Sequence, residues 1–242
     1  MEEKEFIEEC RRQFNLNGLE CSEEQAKKLF LLTKRMLEVN KSMNLTAIKE
    51  EKAVILRHYV DSLTISKYIS EGSKLLDVGC GAGFPTLPLA IFRPDVDIVA
   101  MDGTAKRIRY VDETARILEL DNVTAISERA EELAFDPNYR ECFNIVTARA
   151  VAALPVLCEL CLPFVKVGGS MIGMKSQQAD AELTDSMNCI KLCGGKLTDR
   201  KTVFITDGSI EPEVRNLIFI EKTSSTPKIY PRHFSKISKK HL

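Results

Sequence analysis

The stretch Leu75-Leu76-Asp77-Val78-Gly79-Cys80-Gly81-Ala82-Gly83-Phe84-Pro85 decides how this chain folds. A short apolar run, Lys74–Val78, leads straight into three alternate glycines, and a second apolar run follows over 85–92. That order predicts a buried strand, a tight turn and a helix. Glycines tolerate positive φ and carry no Cβ, so the backbone of such a turn can come close to a ligand. In an open α/β sheet, ligands bind beyond the carboxyl ends of the strands, which is where this turn falls.

Downstream, strand and helix patterns keep alternating. Strands are expected over 96–101, 123–126, 143–148 and 170–174. Helices are expected over 106–120, 154–165 (bent at Pro163) and 179–192. Repeated units of this length imply a mostly parallel sheet covered by helices on both faces. The last two strands, 197–205 and 216–221, have no helix between them, which suggests an antiparallel strand at the end.

Upstream, the pattern is helical only. Helices are expected over 3–15, 23–40 (capped by Ser22), 52–60 and 62–69, with a polar turn at 40–46. The boundary falls at Ser73, giving a helical N-terminal lobe over 1–72 and an α/β domain over 73–242.

Bulk properties exclude several classes. With 44% apolar and 29% charged residues, the 242-residue chain can build a sizeable core. The start, MEEKEFIEEC, has neither the basic nor the apolar region of a signal peptide, and no apolar stretch is long enough to span a membrane. The eight cysteines therefore read as reduced thiols of a cytoplasmic protein, with Cys158 and Cys161 as core residues and no metal site. The net charge of -1 does not mark a nucleic-acid binder, but the segment 223–242 carries five lysines and arginines and no acid.

The expected second strand ends at Asp102, at the distance where a carboxylate accepts hydrogen bonds from a ribose diol. Turn and carboxylate together point to an adenosine-containing ligand. The dinucleotide pattern is G-x-G-x-x-G, whereas the glycines here are spaced G-x-G-x-G with Phe84 following. A phosphate loop would need Gly-Lys-Ser/Thr, which is absent. With Asp77 two residues ahead of Gly79, the turn is similar to the first motif of class I S-adenosylmethionine-dependent methyltransferases. On these residues alone the acceptor stays open. A small molecule, a protein or RNA would serve, and calorimetry separates them all from a nonenzymatic NAD-binding or RNA-binding protein.

Further strings narrow the resemblance: 75–85; Val146-Thr147-Ala148-Arg149-Ala150-Val151-Ala152; Asn40-Lys41-x-x-Asn44-Leu45-Thr46; His58-x-x-Asp61-Ser62; and Pro227-Lys228-Ile229-Tyr230-Pro231-Arg232. Together they resemble the bacterial 16S rRNA guanosine-N7 methyltransferase family, RsmG or GidB, from about Phe30 onward. The resemblance implies a class I methyltransferase fold, a Rossmann-like sheet preceded by the helical lobe, and S-adenosylmethionine as cofactor. It implies that Gly79 and Phe84 line the cofactor beside the turn, that Asp102, Gly103 and Thr104 hold the ribose, and that Ala130 and Glu131 flank the adenine. Arg149 would sit beside both cofactor and target base.

The implied partner is 16S rRNA, in the small ribosomal subunit or an assembly intermediate, met by a cytoplasmic monomer. Guanine N7 carries a lone pair and no proton, so no catalytic acid or base is assigned. Lys41, Arg149, Lys175, Lys228, Arg232, Lys239 and Lys240 are candidates for phosphate contacts. The chain departs from the family at Thr86, at Ser176, and at Ser235, Ile237 and His241 in the tail.

Overall fold

The structure is a computed structural model that describes residues 1–175 and 179–242; Ser176 lies outside the described residues. Among the described residues, seven strands form one sheet in the order β3-β2-β1-β4-β5-β7-β6. They are β1 (Lys74–Val78), β2 (Asp97–Met101), β3 (Val123–Ile126), β4 (Phe143–Arg149), β5 (Val165–Lys175), β6 (Gly195–Ile205) and β7 (Glu213–Lys222). The first five run parallel, and β7 is antiparallel to both β5 and β6. The expected antiparallel strand is thus the last in sequence but lies inside the sheet, one place from its edge.

Both faces are covered. Leu75 packs with α1 (Glu3–Leu16), α2 (Glu23–Met43), α5 (Thr86–Phe92) and α6 (Ala105–Ile117). Its neighbour Leu76 packs on the opposite side with α7 (Ala130–Leu133), α8 (Leu154–Cys161) and α9 (Ala179–Leu192). Successive side chains of a strand point to opposite faces, and here both faces are buried, so these strands read as apolar runs rather than as alternation. The N-terminal helices share one continuous core with their face of the sheet: Phe14 stacks on Phe92 with ring centroids 5.3 Å apart.

Two stretches differ from the sequence expectation. The helices expected over 52–60 and 62–69 form one helical run. It passes from α3 (Glu51–Val54) through a π-helical segment, Ile55–Val60, into α4 (Asp61–Leu63), and a 3-10 turn follows at Ser66–Tyr68. The apolar run 154–165 ends its α-helix at Cys161. Leu162–Phe164, which contains Pro163, is a 3-10 turn, since proline cannot continue the α-helical ladder, and Val165 already opens β5. Periodicity cannot separate a buried helix from a buried strand when every residue is apolar.

The turn before α3 has a defined purpose in the fold. Ser22 starts α2 with a reciprocal capping box to Gln25, and Asn44 ends it in the left-handed region at φ +49°. Asn40 then clamps the chain at both backbone groups of Thr46, with Nδ2 donating to its carbonyl at 2.9 Å and Oδ1 accepting from its N–H at 2.9 Å. Thr46 is thereby held facing the π-helical segment.

Candidate active site

The glycine turn is built against the end of β2. The N–H groups of Gly79 and Cys80 both donate to the Met101 carbonyl, at 2.7 and 2.9 Å. Gly79 sits at φ +74°, and a Cβ there would come within 2.5 Å of Val151. Glycine is required twice over, by conformation and by the close approach of the β4–α8 loop. Asp102, the residue after β2, accepts from the Gly81 N–H at 3.1 Å and from the Thr104 N–H at 2.8 Å, one bond to each oxygen. Its carboxylate is thus oriented from both sides, with the Arg107 guanidinium 3.6 Å away.

A cleft of about 680 Å³ opens beyond these strand ends. Gly79, Phe84, Asp102 and Arg149 all line it, so the structure brings together the turn, the carboxylate and the arginine singled out from sequence. Gly103, Thr104, Ala130 and Glu131 do not line it. Thr104 bonds Asp102 through its backbone, Gly103 lies against Arg129, buried Glu131 has an oxygen 3.8 Å from the same arginine, and Ala130 opens α7 beside it.

Arg149 is held by the π-helical run. Its Nη1 donates to the Arg57 carbonyl and to Asp61 Oδ2, both at 3.0 Å, and its Nη2 lies 3.3 Å from His58 Nδ1. Its guanidinium carbon is 5.5 Å from the Phe84 ring centroid, and Phe84 stacks on His58 at 4.3 Å and 5°. Asp61 also takes Arg215 Nε at 3.2 Å. Arg215 and Arg57 in turn share Glu213, at 2.8 and 2.6 Å. Alternating charges thus run along one wall of the cleft. π-Helical turns occur frequently at functional sites, and this one carries Arg57 and His58 on the cleft.

Thr46, His58, Asp61 and Arg215 were not assigned to the site from the sequence. His58 and Asp61 carried a signal, since both fall in the string His58-x-x-Asp61-Ser62 that resembles the family. Arg215 carried none, because it lies just before the strand pattern visible in sequence, which begins at Asn216. Beneath the turn, Asp77 is fully buried. Its Oδ2 accepts from Thr86 Oγ1 at 2.7 Å, while Oδ1 has no partner among the described residues. Burial pushes its carboxyl up to about 6. Thr86, where the family resemblance expects glycine, is therefore a hydrogen-bond donor to this carboxylate.

The tail is anchored elsewhere. Lys222, at the end of β7, is fully buried against Glu141 at 3.0 Å, just ahead of β4. Arg232 donates twice to Glu159 at 2.7 and 2.8 Å, and Glu159 is fully buried in α8. Ile237 of α10 (Phe234–Ile237) packs in the core on the α8 side. Since Glu141 precedes β4 and the cleft lies beyond its end, the root of the tail sits at the opposite edge of the sheet. Among the candidate phosphate contacts, Arg232 and Lys175 are already paired, Lys175 with Glu182 at 2.7 Å, whereas Lys228, Lys239 and Lys240 are exposed. Cys158 and Cys161 are fully buried core residues, and among the described residues no group of three or more His, Cys, Asp or Glu could hold a metal.

A glycine turn, a carboxylate after the second strand, and a seven-stranded sheet with an inserted antiparallel strand define a class I methyltransferase. Solved structures agree on the fold. The M. jannaschii TYW2 structure in complex with AdoMet matches with a TM-score of 0.52 at 17% identity, over 67% of this chain and 76% of that one. An S-adenosylmethionine-dependent O-methyltransferase from Thermotoga maritima matches with a TM-score of 0.52 at 15% identity, over 80% and 73%. The chain belongs to the GidB family, rRNA small subunit methyltransferase G, whose profile matches residues 25–223. Among its relatives is a ribosomal RNA small subunit methyltransferase G of Desulfitobacterium hafniense, 40% identical over 100% of this chain and 98% of that protein. Another, of the same name, from Clostridium beijerinckii, is 42% identical over 92% of each.

Proposed function

We infer that this protein transfers a methyl group from S-adenosylmethionine to N7 of a guanosine in 16S rRNA of the small ribosomal subunit. The observation that carries the reading is one cleft in which the Gly79 turn, Asp102 and Arg149 meet, from the ends of three neighbouring strands. Family membership supports the acceptor.

The residues present fit the cofactor. Asp102 presents an oriented carboxylate suited to a ribose diol. Gly81 has only backbone near its missing Cβ, so the turn leaves room for a ligand. Beneath the turn, the buried Asp77, whose Oδ1 has no partner among the described residues, places a carboxyl under this end of the site. Gly103, Thr104, Ala130 and Glu131 extend that shelf on the β2–β3 side and would hold the adenosine. Bound there, the cofactor supplies an activated methyl on a sulfonium centre.

The chain's own part is positioning. Fixing two reactants in line can lower a barrier by roughly 7–11 kcal/mol. Arg149, held at its carbonyl, carboxylate and imidazole partners, keeps one geometry beside the Phe84 ring. Guanine N7 needs no base, and His58 is not set up as one: both its nitrogens are engaged, and burial beside Arg149 pushes its imidazole down to about 3. The reading places the protein in the cytoplasm as a monomer; no helix among the described residues is long and apolar enough to cross a membrane.

Purified protein, tritiated S-adenosylmethionine and small-subunit rRNA should yield labelled 7-methylguanosine. Label found only on protein or on a metabolite would overturn the acceptor. Asp102→Ala should weaken S-adenosylhomocysteine binding by about tenfold or more in calorimetry, and unchanged affinity would remove the ribose assignment.

A further inference from the structure

We propose that His58 is a positioning residue for methyl transfer: held as the neutral Nε2–H tautomer, it fixes the Arg149 guanidinium and the Phe84 ring at the wall of the cleft. The proposal rests on the methyltransferase reading above and adds to it a residue that touches neither reacting atom.

The hydrogen bonds fix the tautomer. A guanidinium has only donors, so His58 Nδ1, 3.3 Å from Arg149 Nη2, must be the acceptor and carries no proton. The ring proton is therefore on Nε2, which faces Thr46 Oγ1 at 2.9 Å. That oxygen also accepts from the Ile48 N–H at 3.0 Å, which takes its second lone pair. Thr46 is itself clamped by Asn40 at both backbone groups. Position is thus transmitted from Asn40 through Thr46 and His58 to Arg149.

The imidazole does a second thing. It lies flat on Phe84, at 4.3 Å and 5°, on the side of the turn that follows Gly83. One ring therefore touches both Phe84 from the cofactor turn and Arg149 from the end of β4. A side chain with an apolar face and a single acceptor in this orientation is needed to do both, which neither Phe nor Lys supplies. Its burial at 8% exposure keeps water from replacing either contact.

Two variants separate the roles. His58→Phe keeps the flat ring and loses the acceptor. His58→Asn places an amide oxygen near the former Nδ1 and loses the stack. We expect kcat for small-subunit rRNA to fall by about tenfold or more in His58→Phe, with S-adenosylhomocysteine affinity and KM for RNA within about threefold. His58→Asn should recover at least about a third of the wild-type kcat, while its lost stack on Phe84 weakens S-adenosylhomocysteine binding by about threefold or more. Wild-type kcat in His58→Phe, or no recovery in His58→Asn with both variants folded, would overturn the proposal. Nitrogen-15 NMR of the wild-type imidazole gives a readout independent of RNA and of variant folding. It should show a proton on Nε2 and none on Nδ1, with the Nδ1 resonance moving in Arg149→Ala. A cationic ring, the other tautomer, or an Nδ1 resonance indifferent to Arg149→Ala would overturn it as well. Absence of label with wild-type protein would count against the rRNA acceptor instead, and the NMR outcome would still decide for or against His58.

Discussion

Arg149 and Arg232 sit at opposite ends of the sheet and look alike on paper. Each belongs to a string shared with the family, and each is mostly buried on a carboxylate, with side-chain exposures of 14% and 24%. Their surroundings differ. Asp61 holds Arg149 with one oxygen and Arg215 with the other, so its charge is balanced twice. Glu159 is fully buried, and among the described residues the only cation bonded to it is Arg232. At the cleft, several partners share the arginine and hold it at the wall. At the far edge, arginine is consumed in tying the chain down. Removing a partner from a buried pair is costly when it strands a charge and mild when another partner remains.

The contrast yields opposite outcomes for the same substitution. Arg149→Ala should reduce methyl transfer by about 100-fold or more while lowering unfolding free energy by no more than about 2 kcal/mol, because Arg215 still pairs Asp61. Steady-state assays and urea unfolding on one preparation check both halves. Retained activity would detach Arg149 from the chemistry. Arg232→Ala should do the reverse. It leaves Glu159, among the described residues, with the backbone N–H of residue 232 at 2.8 Å, and should cost about 3 kcal/mol of stability. S-adenosylhomocysteine affinity should stay within about twofold. A stable Arg232→Ala protein that loses RNA binding would return Arg232 to the RNA interface.

The same contrast explains what could be read in advance. The strand–glycine–helix order and Asp102 were legible because strand ends and tight turns depend on local residue types. So were the parallel sheet and the need for a cofactor at its carboxyl edge. Arg149 was legible as an arginine in an apolar run, which requires a partner. Its partners were not: Asp61 lies 88 positions away and Arg215 arrives from a strand folded back into the sheet. The tail was read as basic. Sequence charge cannot tell an arginine at an RNA surface from Arg232, whose acidic partner Glu159 is distant in the chain. The merged helix 51–63 was missed because a π turn shifts the apolar period without any breaker residue to mark it.

Asp77 sharpens the cleft side of the comparison through pH. Its folded carboxyl lies at about 6, above its ordinary 3.8, because burial opposes the charge. Between those values the folded state holds more protons than the unfolded state. Stability contributed by this group is present below about pH 4 and lost as pH rises through about 6. The loss amounts to about 2–3 kcal/mol. Asp77→Asn removes it, so the ligand-free variant should gain on the wild type between pH 5 and 7.5 in urea unfolding. Parallel stability curves would show that the carboxyl is charged in the fold throughout, with its second oxygen solvated.

The smallest effects belong to Lys239 and Lys240, exposed beyond α10 on the anchored side of the molecule. Neither has a carboxylate partner among the described residues, and the Lys240 carbonyl, not its ammonium, meets Arg232 at 3.0 Å. Alanine at both should change stability by less than about 0.5 kcal/mol. Each phosphate neutralised by a lysine adds about 0.7 to 0.9 to the salt dependence of RNA binding. With the tail rooted at the edge away from the cleft, the double variant should keep the wild-type slope of log affinity against log salt, and its methylation rate within about twofold. A slope reduced by about 1.4 to 1.8 would mean that the substrate wraps both ends of the sheet. In that case the far edge would be an RNA surface laid over a structural anchor.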